Sequence, residues 1–218
     1  LTRVQLIIFI LLLFCINCSG QVKPKSNLEI FEKTISNELE KYFYYPGIER
    51  SVLFIFVITS KDLADRHNNE EVKFLTGLVK KTASGNNLNY SIAPDTGNIK
   101  TDSAYLLFIL KVNKLMTSYP GFVKNKFLGE KVIRRNITAD ISLQIISKES
   151  DFKINDTIKM NYTDAVELEN YKDLESYEYY FTQGRPPAVG IIEKTFFPVL
   201  LIVVSAAATL LFFIIRTK

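Results

Sequence analysis

The sequence predicts a small α/β domain, with α+β as its neighbouring class: one sandwich of a mixed sheet, a C-terminal hairpin and about three amphipathic helices, followed by a C-terminal transmembrane helix. Val52 to Ile58 and Ala104 to Leu110 are unbroken apolar runs of strand length, rich in branched and aromatic residues, as in strands buried on both faces. Residues 136–163 alternate polar and apolar side chains on either side of a polar turn, the pattern of a hairpin with one wet face. Residues 28–42 and 70–82 repeat apolar side chains at helical spacing with charges between them.

Taken in order, residues 1–20 read as a secretory signal. Arg3 supplies a positive start, Leu6 to Ile16 an apolar run too short to span comfortably, and Cys18-Ser19-Gly20 small residues for cleavage between Gly20 and Gln21. Two other readings stand beside it, a lipoprotein signal acylated at Cys18 and an uncleaved first anchor. Residues 21–27 form a linker. A first helix places Leu28, Phe31, Ile35, Leu39 and Tyr42 on one side and ends at Pro46-Gly47. After the strand at 52–58, a loop leads into a second helix near 70–82. Val72, Leu75, Leu78 and Val79 point inward, Asn68 or Asn69 caps it, and Glu70 and Glu71 fill its positive first turn. Gly85-Asn86-Asn87 ends it.

A short strand is expected within 88–93, then a turn at Pro94-Asp95-Thr96-Gly97. Residues 116–130 carry Pro120, Gly121 and Gly129 and read as a loop. In the hairpin, Ile137, Ala139, Ile141, Leu143 and Ile145 form one apolar face with Phe152, Ile154, Ile158, Met160 and Tyr162, with Asn, Thr, Ser and Lys on the other side. Residues 164–181 place Leu168, Tyr171, Leu174, Tyr177 and Phe181 roughly on one side and are expected as a third amphipathic helix. The globular domain therefore spans 28–182, and 183–195, with Arg185-Pro186-Pro187, is a stiff tether. Phe196 to Ile215 carries no charge, and at about 1.5 Å per residue it spans roughly 30 Å, the hydrocarbon thickness of a bilayer. Its ends are marked by Phe196 and Phe197 on one side and by Ile215, Arg216 and Lys218 on the other, residues 216–218 forming a cytoplasmic tail. The order of elements is similar to that of small α/β periplasmic modules of the Tol and curli-assembly type, an architectural resemblance over 30–180 with no diagnostic motif.

The chain carries a net charge of +4, but Arg3, Lys194, Arg216 and Lys218 lie outside residues 21–190, so the domain is nearly neutral and has no electrostatic footprint for nucleic acid. Both cysteines, Cys15 and Cys18, sit in the leader, which excludes cysteine-based metal sites and nucleophiles from the domain. No cofactor is implied. Asp95-Thr96-Gly97 resembles the tripeptide of aspartic proteases, which a dimer would use as paired carboxylates. Its setting, after Ala93-Pro94 and before Asn98, is that of a turn. Asp62, Asp65, Glu70 and Glu71 surround the only histidine, His67, and are weak candidates for a carboxylate site for Ca²⁺ or Mg²⁺. Their plainer role is to begin the second helix. Sequons occur at Asn89, Asn136, Asn155 and Asn161, three of them following from the Asn/Thr alternation of the hairpin.

These features point to a single-pass envelope protein of a bacterium, its domain on the outer side of the cell membrane (periplasmic in a Gram-negative cell). There it would act in protein binding or envelope assembly. Its partners would be the lipid bilayer and an envelope protein, with Tyr171, Tyr177, Tyr179 and Tyr180 as contact candidates. Self-association into a homodimer through the small residues Ser205 to Thr209 would be favoured by close helix approach. The alternatives are a membrane-tethered hydrolase built on Asp95 or the 62–71 acids, and a eukaryotic type I glycosylated surface protein.

Overall fold

The computed structural model describes residues 24–61, 66–97, 99, 101–126 and 130–216. Its centre is a five-stranded sheet of order β2-β1-β3-β4-β5, with β1 Leu53–Ser60, β2 Tyr90–Ala93, β3 Tyr105–Asn125, β4 Lys131–Ser147 and β5 Lys153–Glu167. β1 runs parallel to both β2 and β3, whereas β3, β4 and β5 form an antiparallel meander, so the sheet is mixed. Among the described residues there are three α-helices: α1 Asn27–Phe43, α2 Arg66–Gly85 and α3 Ile191–Arg216. The α/β class and the mixed sheet expected from the sequence are both present.

α1 begins where Ser26, in extended conformation, accepts the Glu29 N–H with its side chain at 3.1 Å, which satisfies one donor of the first turn. Its buried stripe is Asn27, Ile30, Phe31, Ile35, Leu39 and Phe43. The stripe is turned slightly from the expected one, leaving Leu28 and Tyr42 half-buried and bringing Phe43 inward. Phe43 meets Phe54, Phe56 and Phe108 edge-on at 6.0, 6.1 and 6.0 Å between ring centres, and Phe54 stacks on Phe108 at 5.5 Å. α2 packs beside α1 through Phe74, Leu75, Leu78, Val79 and Ala83. It ends with Asn87 in the left-handed region (φ 54°), Leu88 N–H reaching Ala83 O and Asn87 N–H reaching Ser84 O, the paired bonds of a Schellman motif.

α2 starts earlier than expected. Its first residue is Arg66, so Asn69 lies inside the helix and Glu70 and Glu71 in its second turn; neither Asn68 nor Asn69 is its cap. β1 is buried on both faces, as its composition implied. Phe54, Phe56 and Ile58 face the helices, while Ile55 and Val57 join Leu107, Ile99 and Tyr105 on the other side.

Two further expectations fail for physical reasons. The loop expected at 116–130 is instead largely strand, since β3 continues to Asn125. Its alternation is Val112, Leu115, Thr117, Tyr119 inward, but register shifts at Val112/Lys114, Ser118/Gly121 and Phe122/Lys124 break the two-residue period and absorb Pro120 at a bulge. The helix expected at 164–181 is absent. β5 runs to Glu167, and the rest is irregular around two short 3₁₀ turns, Tyr171–Leu174 and Tyr180–Thr182. Side chains at Ser176 and Thr182 bond the local backbone and hold it away from helix.

The hairpin β4–β5 forms as predicted, with Ile145 opposite Ile154 and Ile137 opposite Tyr162. Its other face carries side-chain bonds in place of a covering layer: Asn113 to Asp140 and Ser142, Gln144 to Asn155, and Thr163 to Asn136. α3 presents Val199, Leu200, Leu201, Ile202, Val203 and Val204 to its surroundings, and the Thr209 hydroxyl donates back to Ser205 O at 2.8 Å. Among the described residues no helix is long and apolar enough to cross a membrane, the side chains at 197, 211, 214 and 215 within the uncharged run lying outside that set.

Candidate functional site

The inward alternation of β4 runs Ile133, Arg135, Ile137, and so places a guanidinium among aliphatic side chains with no exposure at all. A charge so placed must be fully paired. Arg135 donates to both oxygens of Asp164, its partner across β5, at 2.8 and 2.5 Å. It also donates from Nη1 to the Lys25 carbonyl and to Asn27 Oδ1, each at 2.8 Å. Asn27 passes the network on, donating from Nδ2 to Tyr119 Oη at 3.1 Å and to the Thr182 carbonyl at 2.7 Å. Asp164 accepts a further bond from the Tyr162 hydroxyl at 3.0 Å. Burial pushes the Tyr119 hydroxyl up to about 12, and burial together with Asp164 raises Tyr162. This clamp ties the segment where the chain enters the domain to the segment where it leaves.

The leaving segment is itself knotted. Thr182 Oγ1 accepts the Ser176 N–H at 2.9 Å and lies within donating distance of Ser176 O and Tyr179 O, and Gln183 Nε2 donates to Ser176 O at 3.0 Å. Glu175 accepts the Gly184 N–H at 2.8 Å. Burial raises the Glu175 carboxyl, against the lowering effect of the Gly184 N–H and the Tyr119 hydroxyl. A Cβ on Gly184 would lie 2.8 and 2.9 Å from the Tyr119 ring and 3.1 Å from Thr117 O, so only glycine lets the chain leave along this path. Tyr179 and Phe181 turn inward onto Phe74, at 5.6 and 5.1 Å between ring centres. What remains outside is a knuckle with Tyr177 at its apex, 94% exposed, and Tyr180 beside it, 57% exposed.

Of the four tyrosines singled out from the sequence, these two are therefore at the surface. Tyr171 packs edge-on against Tyr119 at 5.3 Å, and Tyr179 belongs to the aromatic layer. The one-sided spacing of Leu168, Tyr171, Leu174, Tyr177 and Phe181, which suggests a helix, belongs instead to irregular chain around two short 3₁₀ turns. Asp95 lies in an exposed bend directly after β2, with Gly97 two residues on. Glu70 accepts the Tyr180 N–H at 3.1 Å and so braces the knuckle, and Glu71 is half-buried. Asp62, Asp65, Gly20, Gln21 and Lys218 lie outside the described residues, as do the side chains of His67, Phe197, Ile215 and Arg216; Phe196 is exposed. Among the described residues no group of three His, Cys, Asp or Glu side chains is placed to hold a metal ion. A cleft of about 530 Å³ runs between α1 and α2 and is crossed by the Lys81–Glu32 ion pair and the Asn86–Glu40 hydrogen bond.

The clamp was not anticipated, although its signal is present in the sequence. Counting back by twos from Ile137 puts Arg135 on the buried face, and counting forward from Tyr162 puts Asp164 opposite it. The same count places Asp156 on the helix side, where it accepts the Tyr42 hydroxyl at 2.6 Å and is lowered by that bond.

No family model and no curated protein matches the chain. Parts of it are similar to three solved structures. A neuraminyllactose-binding hemagglutinin homolog from Helicobacter pylori aligns with 58% of this chain and 74% of its own, at 13% identity and a TM-score of 0.34. The rare lipoprotein B from Shewanella oneidensis aligns with 72% and 96%, at 14% identity and a TM-score of 0.27. A minor lipoprotein from Acinetobacter baumannii aligns with 59% and 78%, at 14% identity and a TM-score of 0.27. Scores this low carry no argument about activity.

Proposed function

We propose that this is a single-pass envelope protein whose α/β domain is held outside the cytoplasmic membrane by α3 and acts by binding a protein of the envelope. The observation that carries the reading is the uncharged run 196–215, closed by Arg216 and Lys218. Within α3, Leu201, Ile202 and Leu210 are 63, 65 and 64% exposed, and an apolar surface of that kind calls for lipid or protein around it. The apolar leader at 6–16 accounts for export, and retained positive charge accounts for the direction of insertion. The binding role rests on what the domain offers: a polar sheet face with no covering helix among the described residues, and a long edge strand in β5.

Protease added to spheroplasts tests the arrangement. Residues 24–184 should be digested from outside while a fragment containing 196–215 stays with the membrane. A domain protected until the membrane is lysed would overturn the reading.

A further inference from the structure

We infer that Tyr177 and Tyr180 form a lipid-contacting foot that seats the domain on the bilayer surface, an inference that rests on α3 being the anchor. The knuckle is built to hold Tyr177 out. Ser176 is fixed by Thr182 and Gln183, the Glu178 N–H is held by Ser176 Oγ at 3.3 Å, and the Glu178 carboxylate pairs with Lys73 at 3.0 Å. So many directional bonds around a 94% exposed aromatic ring make a rigid presentation of that ring.

Connectivity says what it is presented to. Glu175 and Ser176, the residues just before Tyr177, are bonded to Gly184 and Gln183, the residues where the chain departs for α3. The foot and the departure point therefore share one base. From Gly184 to the start of α3 at Ile191 the chain can reach no more than about 25 Å, and Pro186-Pro187 keep it extended. The uncharged run starts only at Phe196, one turn and a half inside α3, a length that fits the headgroup layer of roughly 6 Å. Tyrosine is suited to that layer, since its ring is apolar and its hydroxyl is wet. A protein partner at the same place would have to fit between the domain and the bilayer.

The chain contains no tryptophan, so single substitutions are clean reporters. The full-length protein is reconstituted into phosphatidylcholine vesicles carrying lipids spin-labelled at the headgroup or deep in the acyl chain. Tyr177→Trp is compared with two references. Tyr44→Trp reports the far end of α1, about 25 Å along the helix axis from the clamp, and Phe212→Trp reports α3. The expected result is quenching of Tyr177→Trp by the headgroup label several-fold above that of Tyr44→Trp, with Phe212→Trp quenched by the deep label. If Phe212→Trp is quenched by the deep label while Tyr177→Trp behaves like Tyr44→Trp, the foot is wrong and the anchor stands. If Phe212→Trp escapes both labels, the anchor is wrong and the foot falls with it. Unchanged melting of Tyr177→Trp in detergent confirms that the reporter leaves the fold intact.

Discussion

The aromatic floor beneath α1 and the polar clamp around Arg135 lie on the same face of the sheet, towards opposite ends of β4, and they hold the domain by different means. Under α1, Phe43, Phe54, Phe56 and Phe108 are all fully buried and meet as rings whose main contribution is apolar area removed from water. At the clamp a single side chain joins β4, β5 and the N-terminal segment by directional bonds, and each bond exists because leaving its group dry and unpaired would cost more. The floor tolerates changes of shape better than changes of volume. The clamp tolerates neither, but it can in principle be replaced whole.

The largest expected effects separate these two modes. Phe43→Ala should cost about 3–5 kcal/mol by opening a cavity among three other rings. Arg135→Met should cost a similar ~3–5 kcal/mol by stranding Asp164. The double variant Arg135→Met with Asp164→Leu should recover much of that loss, because an apolar pair of similar volume often matches a buried ion pair. Denaturant titration of each gives the comparison, and a double variant no better than the single would show that the bonds to Lys25 and Asn27, and not the ion pair, dominate the clamp.

A smaller effect belongs to Asn27→Ala. It removes one acceptor from Arg135 and two donated bonds, at an expected cost of about 2–3 kcal/mol read from the same titrations. Gly184→Ala should cost about 1–3 kcal/mol through its collision with the Tyr119 ring. Gly190→Ala, where a Cβ meets open space, should be near neutral and serves as its control. Equal melting temperatures for the two would mean that the departing chain is not seated on Tyr119.

The leaving segment beside the clamp gives a pH signature that the floor cannot. The Glu175 carboxyl is raised in the folded state, so folding binds its proton more tightly than the unfolded chain does. Its contribution is therefore fully present below the ordinary glutamate range and is lost as pH rises through the raised value. Glu175→Gln, which keeps an oxygen for the Gly184 N–H, should match the parent protein at acidic pH and be the more stable of the two at neutral pH. Thermal melts across that range check it, and an advantage at acidic pH would reverse the assigned sign. Smallest of all, Asp95→Asn should change stability by no more than about 0.5 kcal/mol, since its bend is exposed and Asn serves turns as Asp does.

What could be read in the sequence follows the same division. Features written as runs or strict periods were legible: β1, the β4–β5 alternation, and the stripes of α1 and α2. Phe43 was missed by a single residue because the helix was closed at Tyr42. β3 was hidden beyond Leu110 because its bulges shift the period, so that Lys114, Met116 and Pro120 look like loop chemistry. The segment 164–181 reads as helix because Leu168, Tyr171, Leu174, Tyr177 and Phe181 are spaced by three and four, and only long-range bonds show that it is a strand end followed by a knot. The clamp required pairing two parities across strands, which a pass along one strand does not do. The tyrosines at 177 and 180 were found by residue type, while their separation from Tyr171 and Tyr179 needed the fold.

The bond from Asn27 Nδ2 to the Thr182 carbonyl also makes the domain a cassette. The segments around Asn27 and Thr182, where the described domain begins and ends, sit one hydrogen bond apart, so its two ends leave from one place. Such a unit can be spliced between two neighbouring positions of a host protein without forcing them apart. Both junctions would leave from the same corner, and a host that kept its own shape would keep this domain's shape as well.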